Sequence, residues 1–216
     1  GLPADTRAMC RAAAEQEGKT GWKLGLQMPC YLPVQAYAES RDLRETLYRA
    51  NAVRASEFDL PERDNSAAIK QVLQLRAELA TLLGFASYAD YSVATKMAQS
   101  PLEVLDFLRD LAACAKPHAR RDRTELETFA AEHLGLEQLQ AWDLAYAGEK
   151  LKQARYSFSE QEVKQYFTEA KVLAGLFEVI ESLYGLQVQP DTAPVWHEDV
   201  RFYRLVDAQG ALVGQF

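Results

Sequence analysis

The stretch that decides the fold class runs from Ser100 to His133 and reads "SPLEVLDFLRDLAACAKPHARRDRTELETFAAEH". Ser100 is a favourable helix N-cap, Pro101 suits the first helical turn, and Glu103 stands three residues after the serine. This spacing predicts that a long helix begins here and reaches His133, and we expect Pro117 to kink it. The chain is therefore expected to be mainly α-helical.

Further helices are predicted on both sides of this stretch. Upstream, they are expected at Leu2–Gln16, near Val34–Glu39, from Asp42 to the break at Pro61, and from a cap at Asp64 or Asn65 to Gly84. Downstream, a second capping box at Ser159–Glu162 precedes a regular apolar stripe that ends at Gly185. The predicted stripe residues of the helix before Gly84 are Ile69, Val72, Leu73, Leu79, Leu82 and Leu83. Those of the helix before Gly185 are Val172, Leu173, Leu176, Phe177, Ile180, Leu183 and Tyr184.

The helix after Asp42 is predicted to be amphipathic. Its apolar face carries Leu43, Thr46, Leu47, Ala50 and Val53. The opposite face, which we expect to meet solvent, carries Arg41, Arg44, Glu45 and Arg49.

Short strands are predicted near both ends of the chain. Hydrophobic and polar residues alternate over 22–27 and again over Leu186–Gln189, as in half-buried strands. Residues 201–206 and 211–216 read as a β-hairpin around Asp207–Gly210. We expect strands 22–27, 201–206 and 211–216 to form one small antiparallel sheet beside a multi-helix body.

Bulk composition limits the classes of protein to which this chain can belong. Of its 216 residues, 48% are hydrophobic, and 31 acidic residues outnumber 24 basic ones, which argues against nucleic acid or an anionic membrane as the main partner. No apolar run approaches the roughly 18 residues of a membrane span, and there is no signal-peptide pattern. Three widely spaced cysteines, Cys10, Cys30 and Cys114, favour reduced thiols and a cytoplasmic location.

The stretch "VWHEDVRF", Val195–Phe202, begins like a zinc motif but does not complete it. In H-E-x-x-H a second imidazole follows four residues after the first on one helix face, whereas this chain has Arg201 there, after a proline at 194 and before predicted strand residues. His118 and His133 have no glutamate three residues before them, so a Glu-x-x-His di-metal site is excluded on spacing. We therefore expect no metal ligand in this sequence.

Other kinds of reactive site are also absent from the sequence. It contains no G-x-S-x-G nucleophile elbow and no glycine-rich phosphate loop. Arg120, Arg121 and Arg123 are interleaved with acidic residues, which favours a solvated helix face over an anion-binding patch. Six aromatic residues are expected to pack rather than to form a stacking platform: Tyr88, Tyr91, Trp142, Tyr146, Tyr156 and Tyr166.

Several long blocks nonetheless resemble a known family. They are "GWKLGLQMPCYLPVQAYAESRDLRETLYRA", "LGFASYADYSVATKMAQSP", "WDLAYAGEKLKQARYSFSEQEVKQYF" and "DVRFYRL", and they occur in order over nearly the whole chain. These blocks are similar to those of the thimet-oligopeptidase-like zinc metallopeptidases. The resemblance implies a cytosolic enzyme that cleaves short peptides in a deep channel between two mostly helical domains.

The same resemblance implies that the zinc motif lies downstream of Phe216, the last residue of this sequence. We therefore expect residues 1–216 to be a single helical segment of a larger peptidase that lacks the zinc-binding catalytic half and is inactive alone. No catalytic or metal-binding residue is assigned, the substrate-binding residues are unknown, and zinc is expected only in the full-length parent. The expected partners are short peptide substrates, the catalytic half, and a second copy through the exposed hairpin 201–216. The alternative is a free-standing helical interaction module without enzymatic activity.

Overall fold

The computed structural model describes residues 1–157 and 160–216 and confirms a mainly helical chain with a small antiparallel sheet. The chain divides into two compact units, Gly1–Ser157 and Phe158–Phe216. Within the two described ranges, no helix combines the length and apolar character that a bilayer crossing requires.

The first unit is built from helices joined by short connections. Two 3-10 helices, Pro61–Arg63 and Ala141–Asp143, interrupt the series. The α-helices are α1 (Ala4–Glu15), α2 (Met28–Tyr37), α3 (Arg41–Ala52), α4 (Ser66–Leu82), α5 (Tyr88–Val93), α6 (Pro101–Leu134) and α7 (Leu144–Tyr156).

Helix α6 begins where the sequence predicts. The Ser100 hydroxyl accepts a hydrogen bond from the Glu103 main-chain N–H at 3.2 Å, and the Glu103 carboxylate accepts one from the Gln99 N–H at 2.6 Å. The helix runs through Pro117 as one element of 34 residues and ends at Gly135, whose φ of 65° is the left-handed conformation that glycine adopts without strain. The predicted kink at Pro117 stays a prediction.

The predicted strand at 22–27 is wrong, because this segment pairs with no strand among the described residues. Instead, the Lys23 N–H donates to the Cys10 carbonyl at 2.9 Å, and Leu24 and Leu26 pack against the core formed by α1 and α2. One-sided packing of an extended segment produces the same alternation as a strand. Helix α2 also begins earlier than expected, since Pro29 lies in its first turn, where a proline is tolerated.

The prediction of an exposed face on α3 is wrong at one residue. Arg44 is only 1% exposed, although Arg41 and Arg49 on the same face are exposed. The guanidinium of Arg44 donates to Asp143 Oδ1 at 2.8 Å, to the Ala38 carbonyl at 2.6 Å and to the Trp142 carbonyl at 3.2 Å. A buried charge is tolerated here because it is paired and its donors are hydrogen-bonded.

The apolar stripe predicted before Gly84 does lie on a helix, α4, but its side chains are largely exposed in this chain. Asn65 is the N-cap residue and makes no side-chain capping bond, whereas the Asp64 carboxylate accepts from the Ser66 N–H at 2.8 Å; the helix stops before Gly84. Of the stripe, Ile69 is 56% exposed and Leu82 is 83% exposed. The apolar core of the unit lies elsewhere, around Cys10, Cys30, Tyr31, Val34, Ala38 and Leu47, with a second cluster at Ala130, Leu139 and Ala147.

The second unit combines two helices with the sheet. Helix α8 is Glu160–Lys164 and helix α9 is Glu169–Tyr184, which ends at Gly185 with a φ of 65°. The predicted capping box at 159–162 begins at a residue outside the described ranges. The strands are β1 (Gln187–Asp191), β2 (Phe202–Val206) and β3 (Leu212–Gln215), in the antiparallel order β1-β2-β3.

The predicted hairpin is confirmed as β2 and β3, but its third partner differs from the prediction. The alternating residues after Gly185 form β1, which pairs with β2, whereas the segment predicted to share this sheet was 22–27. The turn is closed by the Asp207 carboxylate, which accepts from the Gln209 and Ala211 N–H groups at 2.9 and 2.8 Å. Gly210 completes it with a φ of 81°.

Candidate peptide-binding edge

The truncated zinc motif lies in a bend, as expected, and its histidine is engaged locally. Trp196–Asp199 is not helical, and the Val200 N–H donates to the His197 carbonyl at 3.1 Å. His197 Nδ1 lies 3.2 Å from the Asp199 N–H donor and 3.6 Å from the Asp199 carboxylate. In the part of the chain that the structure describes, no three His, Cys, Asp or Glu side chains converge on a common point. The described residues therefore do not fit a zinc ion.

The other two histidines and the arginine run lie on α6. His118 Nδ1 is 3.0 Å from Arg121, and His133 packs its ring 4.8 Å from that of Phe129. The predicted solvated helix face is confirmed, because Arg120, Arg121 and Arg123 are all exposed and Arg123 pairs with Glu127 at 2.5 Å. The positive charge of this face is offset by acidic residues on the same helix.

The six aromatic residues divide into a packed group and an exposed group. Tyr91 packs against Tyr88 and Phe85, Trp142 lies 5.9 Å from Tyr48, and the Arg44 guanidinium lies 4.1 Å from the ring centre of Tyr146. For Tyr156 and Tyr166 the packing prediction is wrong. Tyr156 and Tyr166 are 64% and 68% exposed.

The sheet of the second unit has one aromatic face and one polar face. On the aromatic face, Tyr203 packs edge-on against Phe177 of α9 at 4.9 Å and stacks on Phe216 at 5.6 Å. Successive residues of a strand point to opposite faces, so Arg204 lies on the other side. That polar side borders a shallow groove of about 280 Å³ that reaches the turn at Gly210.

The polar face is held together across all three strands. Gln189 of β1 accepts from the Arg204 guanidinium at 3.0 and 3.2 Å, and Gln215 of β3 donates to the Asp191 carboxylate at 2.8 Å. The Gln215 amide, the Thr192 N–H and the charge of Arg204 lower the pKa of Asp191 below its ordinary value. The Asp191 carboxylate is therefore ionised at neutral pH and holds the Gln215 side chain of β3 in place.

Among the described residues, strand β3 pairs only with β2, so its other edge is open. The N–H and C=O groups of Phe216 both bond to Tyr203, at 2.9 and 2.8 Å, so the neighbouring Gln215 directs its main-chain groups away from β2. Leu212 and Val213 are 59% and 56% exposed beside this edge. Such an edge can add an extended peptide as a further strand. It offers main-chain hydrogen bonds and apolar contacts for binding.

Two arrangements that tertiary contacts create were not predicted from the sequence. The first is the Arg44–Asp143 pair, which joins α3 to the 3-10 helix before α7. The second is the polar row of Gln189, Arg204 and Gln215 across the sheet. The only sequence signal for the first was that Asp143 belongs to the block "WDLAYAGEK", one of those that carry the family resemblance.

Comparison with known proteins gives consistent matches. Residues 34–216 match Peptidase family M3. The whole chain is 44% identical to oligopeptidase A of Salmonella typhimurium and covers 32% of it. It is also 38% identical to the organellar oligopeptidase A (chloroplastic/mitochondrial) of Arabidopsis thaliana, covering 28% of it, and 30% identical to dipeptidyl carboxypeptidase of Escherichia coli, covering 32%. The chain thus spans about a third of the length of these relatives.

Proposed function

Since this chain belongs to peptidase family M3, we propose that it is the non-catalytic part of a zinc-dependent oligopeptidase that hydrolyses short peptides. In this proposal the chain supplies helical wall and part of the active-site sheet, and the rest of the parent supplies the metal and the reacting groups. The observation that carries the proposal is the 44% identity to oligopeptidase A along the entire chain, which covers 32% of that relative.

The proposed division of labour follows from the side chains of the described residues. A catalytic zinc ion would activate a water molecule for attack on the peptide carbonyl, and a glutamate would act as general base. His197 is engaged by Asp199, and no metal-binding cluster occurs within residues 1–157 and 160–216. The ligands are therefore assigned to the remainder of the parent, and the isolated chain is expected to be inactive.

The role proposed for this chain in substrate binding is carried by β3. An extended peptide satisfies its main-chain hydrogen bonds by lying along a free strand edge, whatever its side chains are. Gln215 directs its main-chain donor and acceptor outward, and Leu212 and Val213 supply exposed apolar surface beside them. Such binding suits an enzyme that accepts many short peptides but rejects folded proteins, which cannot present an extended backbone.

Exposed apolar helix faces support a larger parent. Leu73, Leu82 and Leu83 on or next to α4 are 60%, 83% and 48% exposed, and Leu102, Phe107 and Leu111 on α6 are 60%, 66% and 55% exposed. Large exposed apolar patches on soluble domains mark interfaces, and the number of apolar side chains exposed along these two helices favours such a contact. We assign these faces to contact with the rest of the parent.

The experiment compares the 216-residue chain with the full-length parent. Each is incubated with a quenched fluorescent peptide of about ten residues, and bound zinc is measured by atomic absorption. We expect hydrolysis and one zinc per molecule for the parent, and neither for the 216-residue chain. Stoichiometric zinc in the short chain, or hydrolysis by it that is lost in His197→Ala, would refute the assignment.

The alternative is a free-standing interaction module, which the open β3 edge and the exposed helices also allow. The gene distinguishes the two. If the reading frame continues beyond Phe216 into an H-E-x-x-H motif, the peptidase assignment stands, and a stop codon directly after Phe216 would favour the module.

A further inference from the structure

Two buried cysteine side chains meet inside the first unit. Cys10 on α1 and Cys30 on α2 place their sulfur atoms 3.5 Å apart, and the two residues are only 1% and 6% exposed. Both are free thiols. A disulfide requires a separation of about 2.05 Å, so bonding needs the sulfurs to approach by roughly 1.5 Å.

We propose that Cys10 and Cys30 form a redox-sensitive pair, which a peroxide converts to a disulfide within the folded chain, fastening α1 to α2. The bond would link residues 20 positions apart. It would also secure the segment at 22–27, which lies between the two helices and contacts them through hydrogen bonds from the Lys23 N–H to the Cys10 carbonyl and from the Gly25 N–H to Cys30 Sγ, and through the apolar contacts of Leu24 and Leu26.

The surroundings of the two sulfurs give them different roles. Cys30 is the third residue of α2, and its Sγ already accepts a hydrogen bond from the Gly25 N–H at 3.3 Å. Burial, together with the hydrogen bond and the charge of Cys30, raises the pKa of the Cys10 thiol to about 11. Cys30 is therefore the sulfur that attacks the peroxide, and Cys10 is the resolving thiol.

The reaction balances with hydrogen peroxide as the oxidant. The Cys30 sulfur attacks one peroxide oxygen, the O–O bond breaks, and the first water leaves, giving a sulfenic acid. The Cys10 sulfur then attacks the sulfenic sulfur, the S–O bond breaks, and the hydroxide departs with the Cys10 proton as the second water. Two thiols lose two electrons in total, and the peroxide is reduced to two waters.

Cys114 provides the matched control. It lies exposed on α6, away from the core that holds the pair. Replacing it by serine leaves Cys10 and Cys30 as the only thiols of the chain, since the sequence contains three cysteines. It also prevents disulfides between two molecules through an exposed thiol.

The test treats the Cys114→Ser chain with hydrogen peroxide under native conditions, alkylates the remaining thiols, and measures the intact mass and the linked peptides. We expect a loss of about 2 Da, no alkylation, one peptide linked through Cys10 and Cys30, and reversal by dithiothreitol. The melting temperature should rise by about 5 °C or more, because the bond restricts the unfolded chain. Cys10→Ala and Cys30→Ala in the same background, each checked for helix content by circular dichroism, should show neither the mass loss nor the rise.

Three results would overturn the proposal. In the first, both thiols of the native Cys114→Ser chain stay alkylatable and the bond forms only in urea. In the second, the unaltered chain links Cys114 instead of joining the pair. In the third, the linked chain melts no higher than its reduced form.

Discussion

At the scale of single residues, the Arg44–Asp143 pair is the principal polar contact inside the first unit. Arg44 is 1% exposed and the Asp143 side chain is fully buried. The Asp143 carboxylate accepts from both arginines, Arg41 and Arg44, and from the Gln140 N–H at 3.0 Å. Removing water from two charges is costly, and this complete set of partners offsets the cost. Such a pair makes a single arrangement of α3 and the segment before α7 favourable.

Truncating Arg44 should destabilise the chain more than truncating Arg41. We expect Arg44→Met to lower the free energy of unfolding by about 3–5 kcal/mol, because it leaves a buried carboxylate short of a partner. Arg41 also contacts Asp143, but its side chain is 43% exposed, so water can replace it and Arg41→Met should cost about 1 kcal/mol or less. Urea unfolding followed by circular dichroism measures both variants. Equal losses would show that Asp143 does not depend on its buried partner.

The same pair predicts how stability depends on pH. Burial acts to raise the pKa of Asp143, but hydrogen bonds from Arg41, the Gln140 N–H and Arg44 outweigh it, so the pKa lies below its ordinary value. A carboxyl whose native pKa is depressed contributes stability that is fully present above its unfolded pKa of about 3.9. That contribution is lost as the pH falls through the lower native pKa.

Melting temperatures measured from pH 7 down to pH 2.5 test this expectation. The unaltered chain should lose stability below about pH 4, and Asp143→Asn should show a shallower loss because position 143 no longer titrates. Parallel pH profiles for the two proteins would assign the acid sensitivity to other carboxylates.

At the scale of elements, capping determines where the helices begin and glycines determine where they end. Ser40, Ser87 and Ser100 each accept a hydrogen bond from the main-chain N–H three residues later. Helices α6 and α9 both stop at a glycine with a φ of 65°. These contacts are local, so they depend on a few neighbouring residues and not on the packing of the unit.

Helix α6 offers a matched pair for measuring one cap. Ser100→Ala removes the acceptor of the Glu103 N–H and should cost about 1 kcal/mol of unfolding free energy. Thr128→Ala, at an exposed position late in the same helix, should be neutral or slightly stabilising, since alanine is the better helix former. Guanidinium unfolding of both variants provides the comparison. A Ser100 effect no larger than that of Thr128 would exclude capping as a contribution.

At the scale of the whole molecule, one edge of the described sheet, at β3, is open, and apolar side chains of helices α4 and α6 are exposed. The main-chain groups of Gln215 point away from β2, and large apolar residues of α4 and α6 are about half exposed or more. Free edges pair with other strands, and exposed apolar faces associate in water. Under the proposed function both are covered in the parent, by peptide substrate and by the catalytic half.

We expect the isolated chain to self-associate through the open edge of β3. Gln215→Pro removes an outward N–H donor, so it should shift the chain toward monomer in light scattering at high concentration. Gln215→Ala loses the same side-chain contact with Asp191 but keeps the N–H, so it should associate as the unaltered chain does. A monomeric mass for the unaltered chain would count against the hairpin as a dimer contact.

Helix starts, helix ends and the hairpin turn were predictable from the sequence. The start of α6 at Pro101, the stop of α9 at Gly185 and the hairpin turn at Asp207–Gly210 all depend on contacts between residues a few positions apart. The lack of a complete zinc motif at His197 was likewise a matter of spacing along the chain. The family resemblance came from long ordered blocks, which preserve information that no short pattern contains.

Tertiary structure alone decided which alternating segments became strands and which polar residues were buried. Residues 22–27 and 186–189 alternate alike, yet of these two segments only the second pairs with a described strand, because hydrogen bonding in a sheet depends on a neighbour distant in sequence. Arg44 reads as a surface residue until Asp143, 99 positions away, is placed beside it. Periodicity along a chain specifies which side of a segment is apolar, whereas the identity of the group that meets either side depends on contacts that only folding creates.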